Sequence, residues 1–133
     1  MSQPKSEGGV AVIVRSGDYE SAHYALALAS AALAVNKAAI LFFTMGGLRS
    51  LMGPPPALDD WGRDALYRER GVGDFETLLQ ACVELGGRFI VCEMGLRALD
   101  IEAASLRRDI PFTVAGIVTL LEETRPGMHL LSL

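Results

Sequence analysis

Only two cysteines, Cys82 and Cys92, and two histidines, His23 and His129, occur in the 133 residues. So few and so widely spaced, they exclude the disulfide framework of a small secreted domain and form none of the usual zinc patterns. No C-x-x-C pair is present, so a dithiol redox cycle is not expected. Positive charge is also scarce: 12 Lys and Arg stand against 16 Asp and Glu, for a formal charge of -4. Beyond Arg68 to Arg70 and the pair Arg107 and Arg108 there is no basic cluster. Counterion release needs a concentrated basic face, so no nucleic-acid partner is expected. Nucleotide-binding glycines are missing as well. The turn RSGDYE has one glycine and fits neither phosphate-binding pattern, and Gly71-Val72-Gly73 follows a polar helix instead of a strand. No cofactor and no metal is expected. The longest apolar stretch, Ala22 to Val35, is broken by His23 and Ser30 and is too short to span a bilayer. The opening MSQPKSEGGV lacks the basic and apolar regions of a signal peptide, so the expectation is a cytoplasmic chain with no membrane partner.

What the sequence does hold is apolar residues, 50% of the total, with a mean hydropathy of +0.30. The length has room for one core, read here as a tail over 1–8 and a single domain over 9–133. Such hydropathy in a small chain predicts that part of its surface meets another subunit.

Gly9 to Val14 (GVAVIV) is a continuous β-branched run, the pattern of a strand buried on both faces of a parallel sheet. Asp18 is placed to cap an Ala- and Leu-rich helix from Tyr19 to Val35, and Ala38 to Phe43 is the next buried strand. This is a βαβ unit. Its helix is apolar nearly all round, which predicts an intersubunit role for it. Thr44 to Gly73 is irregular, with three prolines at Pro54 to Pro56 and a polar helix predicted over Asp59 to Arg70. Phe75, Leu78, Leu79, Cys82 and Leu85 follow helical spacing, closed by Gly86 and Gly87. Arg88 to Val91 reads as a strand ending at Cys92. Short helices are then predicted at Leu96 to Leu99 and Glu102 to Arg108, with Asp100 between them, and a last helix over Val114 to Glu123 capped by Thr113. Met128 to Leu131 closes the sheet. Four principal strands are expected, with a short extra one near Phe112. The fold class is α/β, a mainly parallel sheet with helices on both faces.

In such sheets reactive groups gather beyond the carboxyl ends of the strands. Cys92 falls there, and a short helix after it would favour its thiolate. From position alone two readings stay open: an accessible, reactive thiol in an open crevice, or a buried small hydrophobe at a strand end. Cys82 falls on the core face of its helix and is expected to be inert. His23, one turn into the first helix, can assist a thiol or serve as a hydrogen-bonded or interface residue, and His129 reads as structural. Arg15, Arg49 and Arg97 either line the crevice or are solvated.

Ser16-Gly17-Asp18-Tyr19 before a long Ala-rich helix, Leu41-Phe42-Phe43-Thr44-Met45-Gly46 after the second strand, Val91-Cys92-Glu93 through Leu99-Asp100-Ile101, and Phe112-Thr113-Val114-Ala115-Gly116 occur in that order. Together they resemble the DsrE/DsrF-like sulfur-relay family over roughly Val10 to Leu131. The resemblance implies a flavodoxin-like domain, assembly into trimers or hexamers, and a cysteine that carries sulfur as a persulfide. Cys92 matches the position of that cysteine, so the implied function is a sulfur carrier or sulfurtransferase with a sulfur donor and an acceptor protein as partners. The alternative is a binding or structural subunit that uses the same crevice without chemistry. One departure is Asp100, where the family tends to have glycine. Asp tolerates left-handed backbone, so the turn is expected to survive.

Overall fold

A computed structural model of the chain describes residues 5–133, so half of the expected tail lies outside the described residues. Five strands form one sheet: β1 (Gly9–Val14), β2 (Ala38–Phe43), β3 (Arg88–Cys92), β4 (Phe112–Ala115) and β5 (Met128–Ser132). They lie in the order β4-β3-β2-β1-β5 and every neighbouring pair is parallel. Five α-helices connect them: α1 (Tyr19–Ala34), α2 (Arg63–Glu69), α3 (Phe75–Glu84), α4 (Glu93–Ala98) and α5 (Ile117–Glu123).

Strand alternation divides the core between the two faces of the sheet. Val12, Val14, Leu41, Phe43, Phe89 and Val91 point to the side covered by α1 and α3. Ala11, Ile40, Phe42, Ile90 and Cys92 point to the other, where Leu120 of α5 joins them. The fold is thus the α/β arrangement expected, with differences in its local structure. Residues 112–115 form an edge strand paired with β3, so Thr113 is a strand residue and Gly116 takes the N-cap position of α5. Pairing with an open strand edge outweighs the helical pattern read from Val114 onward. Glu102 to Arg108 is not an α-helix. It makes a single 3-10 turn at Ala103–Ser105, and the backbone N-H of Arg107 donates instead to Leu51 O at 2.9 Å. Asp59 is likewise held outside α2, because its N-H and C=O bond Gly17 O and Tyr19 N, and Asp60 turns left-handed at φ 60°.

The apolar character of α1 has a cause inside the chain. The helix lies between β1, β2 and α3, and Tyr19, Ala22, His23, Ala25, Leu26, Ala29 and Leu33 are buried. The intersubunit surface predicted for it is therefore already covered for the most part. Unpartnered apolar surface lies on the opposite face, where α5 is only 7 residues long. Ile117, Val118, Leu121 and Leu130 are exposed there, Val118 by 70%.

The irregular segment after β2 is anchored by a buried carboxylate. Asp64 accepts hydrogen bonds from Tyr19 Oη at 2.7 Å, Phe75 N at 2.8 Å and Arg68 Nη2 at 3.0 Å. Around it Tyr19, Trp61, Tyr67 and Phe75 pack ring against ring. Burial first, then the hydrogen bond to Asp64, push the Tyr19 hydroxyl well above its ordinary range, so it stays protonated and a donor.

Tyr19→Phe is predicted to cost about 1.5–3 kcal/mol in urea unfolding, the usual range for a hydrogen bond to a charged group. Acid should also weaken the fold. Hydrogen bonds from Thr77, then Arg68, lower Asp74 from 3.8 to about 2. Arg107 lowers Glu76 and Asp109, and Arg88 lowers Glu123. Carboxylates depressed in the folded state stabilise it fully above their unfolded values and lose that contribution as pH falls through the folded ones. The melting temperature is therefore expected to hold above pH about 4 and to drop from there toward pH about 2.

Candidate functional site at the carboxyl edge of the sheet

Because all the strands are parallel, their carboxyl ends meet along one edge, where the loops after β1, β2 and β3 converge. Cys92 is the last residue of β3 and the N-cap of α4, which starts directly after it instead of at Leu96. Its Sγ accepts from the Gly95 N-H at 3.4 Å, a sulfur contact of ordinary length. One free N-H of the short helix thus already faces the sulfur. The open crevice expected around Cys92 is not present, because the residue is 0% exposed. Its side chain shares the apolar cluster of Ala11, Ile40, Phe42, Ile90 and Leu120.

The position of α4 follows from a close approach. A Cβ at Gly95 would lie 2.8 Å from both Met45 N and Thr44 Oγ1. Only glycine lets the helix sit this near the end of β2. Phe43 pairs with Val91, so Thr44 and Cys92 are the next residues along on neighbouring strands. Thr44 is 7% exposed and its Oγ1 has no hydrogen-bond partner among the described residues.

On the same face lies a half-open cavity of about 250 Å³. Ile13, Phe42, Met45, Met94, Ile117 and Leu120 line it, and Arg15, Thr44 and Ser132 border it with almost no polar surface turned inward. Cys92 does not line it. Of the arginines named from sequence, Arg15 alone reaches this cavity. Arg49 pairs with Asp59 at 3.3 Å, and Arg97 pairs with Glu93 at 2.7 Å on the outer side of α4.

His23 is on the opposite face. Its Nε2 lies 2.8 Å from Gly73 O and its ring stacks on Tyr19, so it holds the loop before α3 and has no path to Cys92. Cys82 is 0% exposed, its Sγ is 3.7 Å from Leu26 O, and burial pushes its thiol up to about 12. It stays protonated, as its helical spacing implied. His129 lies in β5. Thr44, Met94 and Ser132 carry no sequence signal of their own. They join the site only because separate strand ends meet.

The family model for DsrE/DsrF-like proteins matches residues 9–133. The chain belongs to the DsrE/DsrF-like family. Among solved structures, the ychN protein from E. coli is similar in fold, with a TM-score of 0.61 at 14% identity, over 94% of this chain and 99% of that one. No curated protein matches the sequence. In this DsrE/DsrF-like domain Asp100, where the family tends to have glycine, adopts φ 53°, so the left-handed turn after α4 is kept. No group of His, Cys, Asp and Glu suited to a metal ion exists among the described residues. No described helix is long and apolar enough to cross a membrane.

Gly95→Ala tests the close approach. The added methyl must displace α4 or the Thr44–Met45 backbone, at a cost of about 1–3 kcal/mol, the usual range for overpacking. A lower denaturation midpoint and faster alkylation of Cys92 are expected. Unchanged stability with unchanged alkylation would show that α4 is not fixed there.

Proposed function

We propose that this DsrE/DsrF-like chain is a sulfur carrier that accepts sulfur as a persulfide on Cys92 and passes it to a partner. The observation that carries this reading is the seat of Cys92, at the carboxyl end of β3 with its Sγ against the Gly95 N-H at the start of α4. Thiolate is the attacking form in persulfide exchange, and the Gly95 N-H is placed to hydrogen-bond that sulfur. In the loading step the Cys92 thiolate attacks the outer sulfur of a donor persulfide. A new S-S bond forms, the donor's S-S bond breaks, and its electron pair leaves on the donor thiolate. The reverse exchange delivers the sulfur to an acceptor thiolate, so no external oxidant or reductant is needed. A cytoplasmic setting accords with two free cysteines.

Loading requires Cys92 to become accessible. The element over it is suited to this, because α4 has 6 residues and most of them are exposed. So short a helix has little stability of its own, and opening it also withdraws Leu96 from the main core. Burial of the thiol also favours the second reading, a binding or structural subunit in which Cys92 only packs.

The two readings separate in one experiment. The native protein is incubated with a persulfide donor, its intact mass is measured and the adduct is mapped. A carrier gains one sulfur on Cys92, and Cys92→Ser abolishes the gain with melting temperature and assembly unchanged. An adduct on Cys82 alone, or none under conditions that load a known carrier, retires the carrier reading.

We further propose that the chain forms a homo-oligomer, with a trimer favoured, through the exposed apolar face around α5. The hydropathy of +0.30 and the exposed Ile117, Val118, Leu121 and Leu130 support it. Val118→Glu combined with Leu121→Glu is expected to reduce the mass seen by light scattering to that of one chain, with the circular-dichroism spectrum kept. A wild-type monomer at micromolar concentration would end this proposal.

A further inference from the structure

We propose that Thr44 holds the sulfur that Cys92 carries, its hydroxyl donating a hydrogen bond to the outer sulfur of the persulfide. This rests on the carrier reading of Cys92 and adds to it the group that grips the cargo.

Register places the two side chains together. Phe42 pairs with Ile90 and Phe43 with Val91 in the parallel strands β2 and β3. Phe42 and Ile90 pack on the α5 side of the sheet, Phe43 and Val91 on the α1 side. Thr44 continues the extended backbone at φ -143° and ψ 159°, so its side chain returns to the α5 side, beside that of Cys92 on the neighbouring strand. Both lie under the same glycine. Thr44 Oγ1 is 2.8 Å from where a Cβ on Gly95 would stand, and Cys92 Sγ is 3.4 Å from the Gly95 nitrogen.

The hydroxyl is unused in the unloaded protein. Thr44 is 7% exposed and its Oγ1 has no partner among the described residues, an arrangement that costs free energy and that a valine of the same shape would avoid. Ser50 Oγ is buried and unpaired as well, but it belongs to the 3-10 turn over Met45–Leu51. Of the two, Thr44 is the one at a strand end next to the cysteine.

The cargo has the complementary need. A persulfide is a stronger acid than its parent thiol, so near neutral pH its outer sulfur is an anion. Around Cys92 the side chains of Ala11, Ile40, Phe42, Ile90 and Leu120 offer no donor, and a charge buried among them is costly unless a donor meets it. The Gly95 N-H already serves Sγ, and the added sulfur stands about 2 Å beyond Sγ. Neighbouring strands are about 4.8 Å apart, so an S-S bond directed toward β2 brings the outer sulfur within reach of Oγ1. Phe42 and Leu120 pack with Cys92 and also line the half-open cavity that Thr44 borders, so this is the side on which a further sulfur has room.

The test equilibrates the full chain with glutathione persulfide and glutathione at fixed ratios and reads, by intact mass, the fraction of Cys92 that carries one extra sulfur. An equilibrium is read, so differences in how fast α4 opens do not enter. Thr44→Val is expected to lower the loading constant about tenfold, as loss of a hydrogen bond to a charged group does, and Thr44→Ser to stay within about threefold of wild type. Unloaded Thr44→Val should melt no lower than wild type, because the hydroxyl it removes has no partner. Loading should raise the melting temperature of wild type and Thr44→Ser more than that of Thr44→Val. Equal loading of wild type and Thr44→Val overturns the assignment and leaves the carrier reading in place. So does an unloaded Thr44→Val protein that melts early, with Thr44→Ser loading as poorly, since Thr44 then only packs. A wild type that takes up no sulfur on Cys92 overturns both.

Discussion

An all-parallel sheet of short strands sets the terms for everything else in this molecule. Each strand must be re-entered from the same end, so every connection crosses a face of the sheet and every carboxyl end arrives at one edge. Two consequences follow. The strand ends bring Arg15, Thr44, Cys92 and Ser132 within one region although they come from four different parts of the chain. Both faces also need cover, and the chain covers them unequally.

On one face α1 and α3 bury the larger core, and the irregular segment after β2 is fastened beside them by Asp64 and a cluster of aromatic rings. On that side His23 and Cys82 are used in packing. The other face has only the short α5 above Ile40, Phe42 and Ile90. Cys92, the cavity and the apolar surface around α5 all fall on this side. The thiol is kept away from water there by Leu120 of α5 and by the start of α4, whose Leu96 reaches into the main core.

Gly95 is where the two requirements meet. It lets α4 rest against the Thr44–Met45 backbone, which closes the edge over Cys92 and at the same time directs a helical N-H toward its sulfur. A longer helix at this point would hold the thiol shut. One without the glycine would stand off the sheet and leave it open. The geometry of the candidate site is therefore a balance between packing and access.

The strands at Gly9–Val14, Ala38–Phe43 and Arg88–Cys92 were legible in the sequence because buried parallel strands are continuous apolar runs, and α1 and α3 because their caps and spacing are local features. The strand-end position of Cys92 and the burial of Cys82 followed from the same patterns. Left-handed Asp100 was legible too, since the side chain that tolerates such a turn is written at the position. The edge strand at Phe112–Ala115 was only half legible, because its pairing with β3 depends on residues more than a helix away in sequence. Whether Cys92 is covered was not legible at all. That depends on how closely α4 approaches β2, a distance between two segments that no local pattern records. The same holds for the apolar surface, whose amount is a matter of composition while its place is not. Sequence determined that this chain has more hydrophobic residues than one small core needs. Only the tertiary structure decided that α3 covers α1 and that α5 leaves its own side open, because burial is shared among elements and is no property of any one of them.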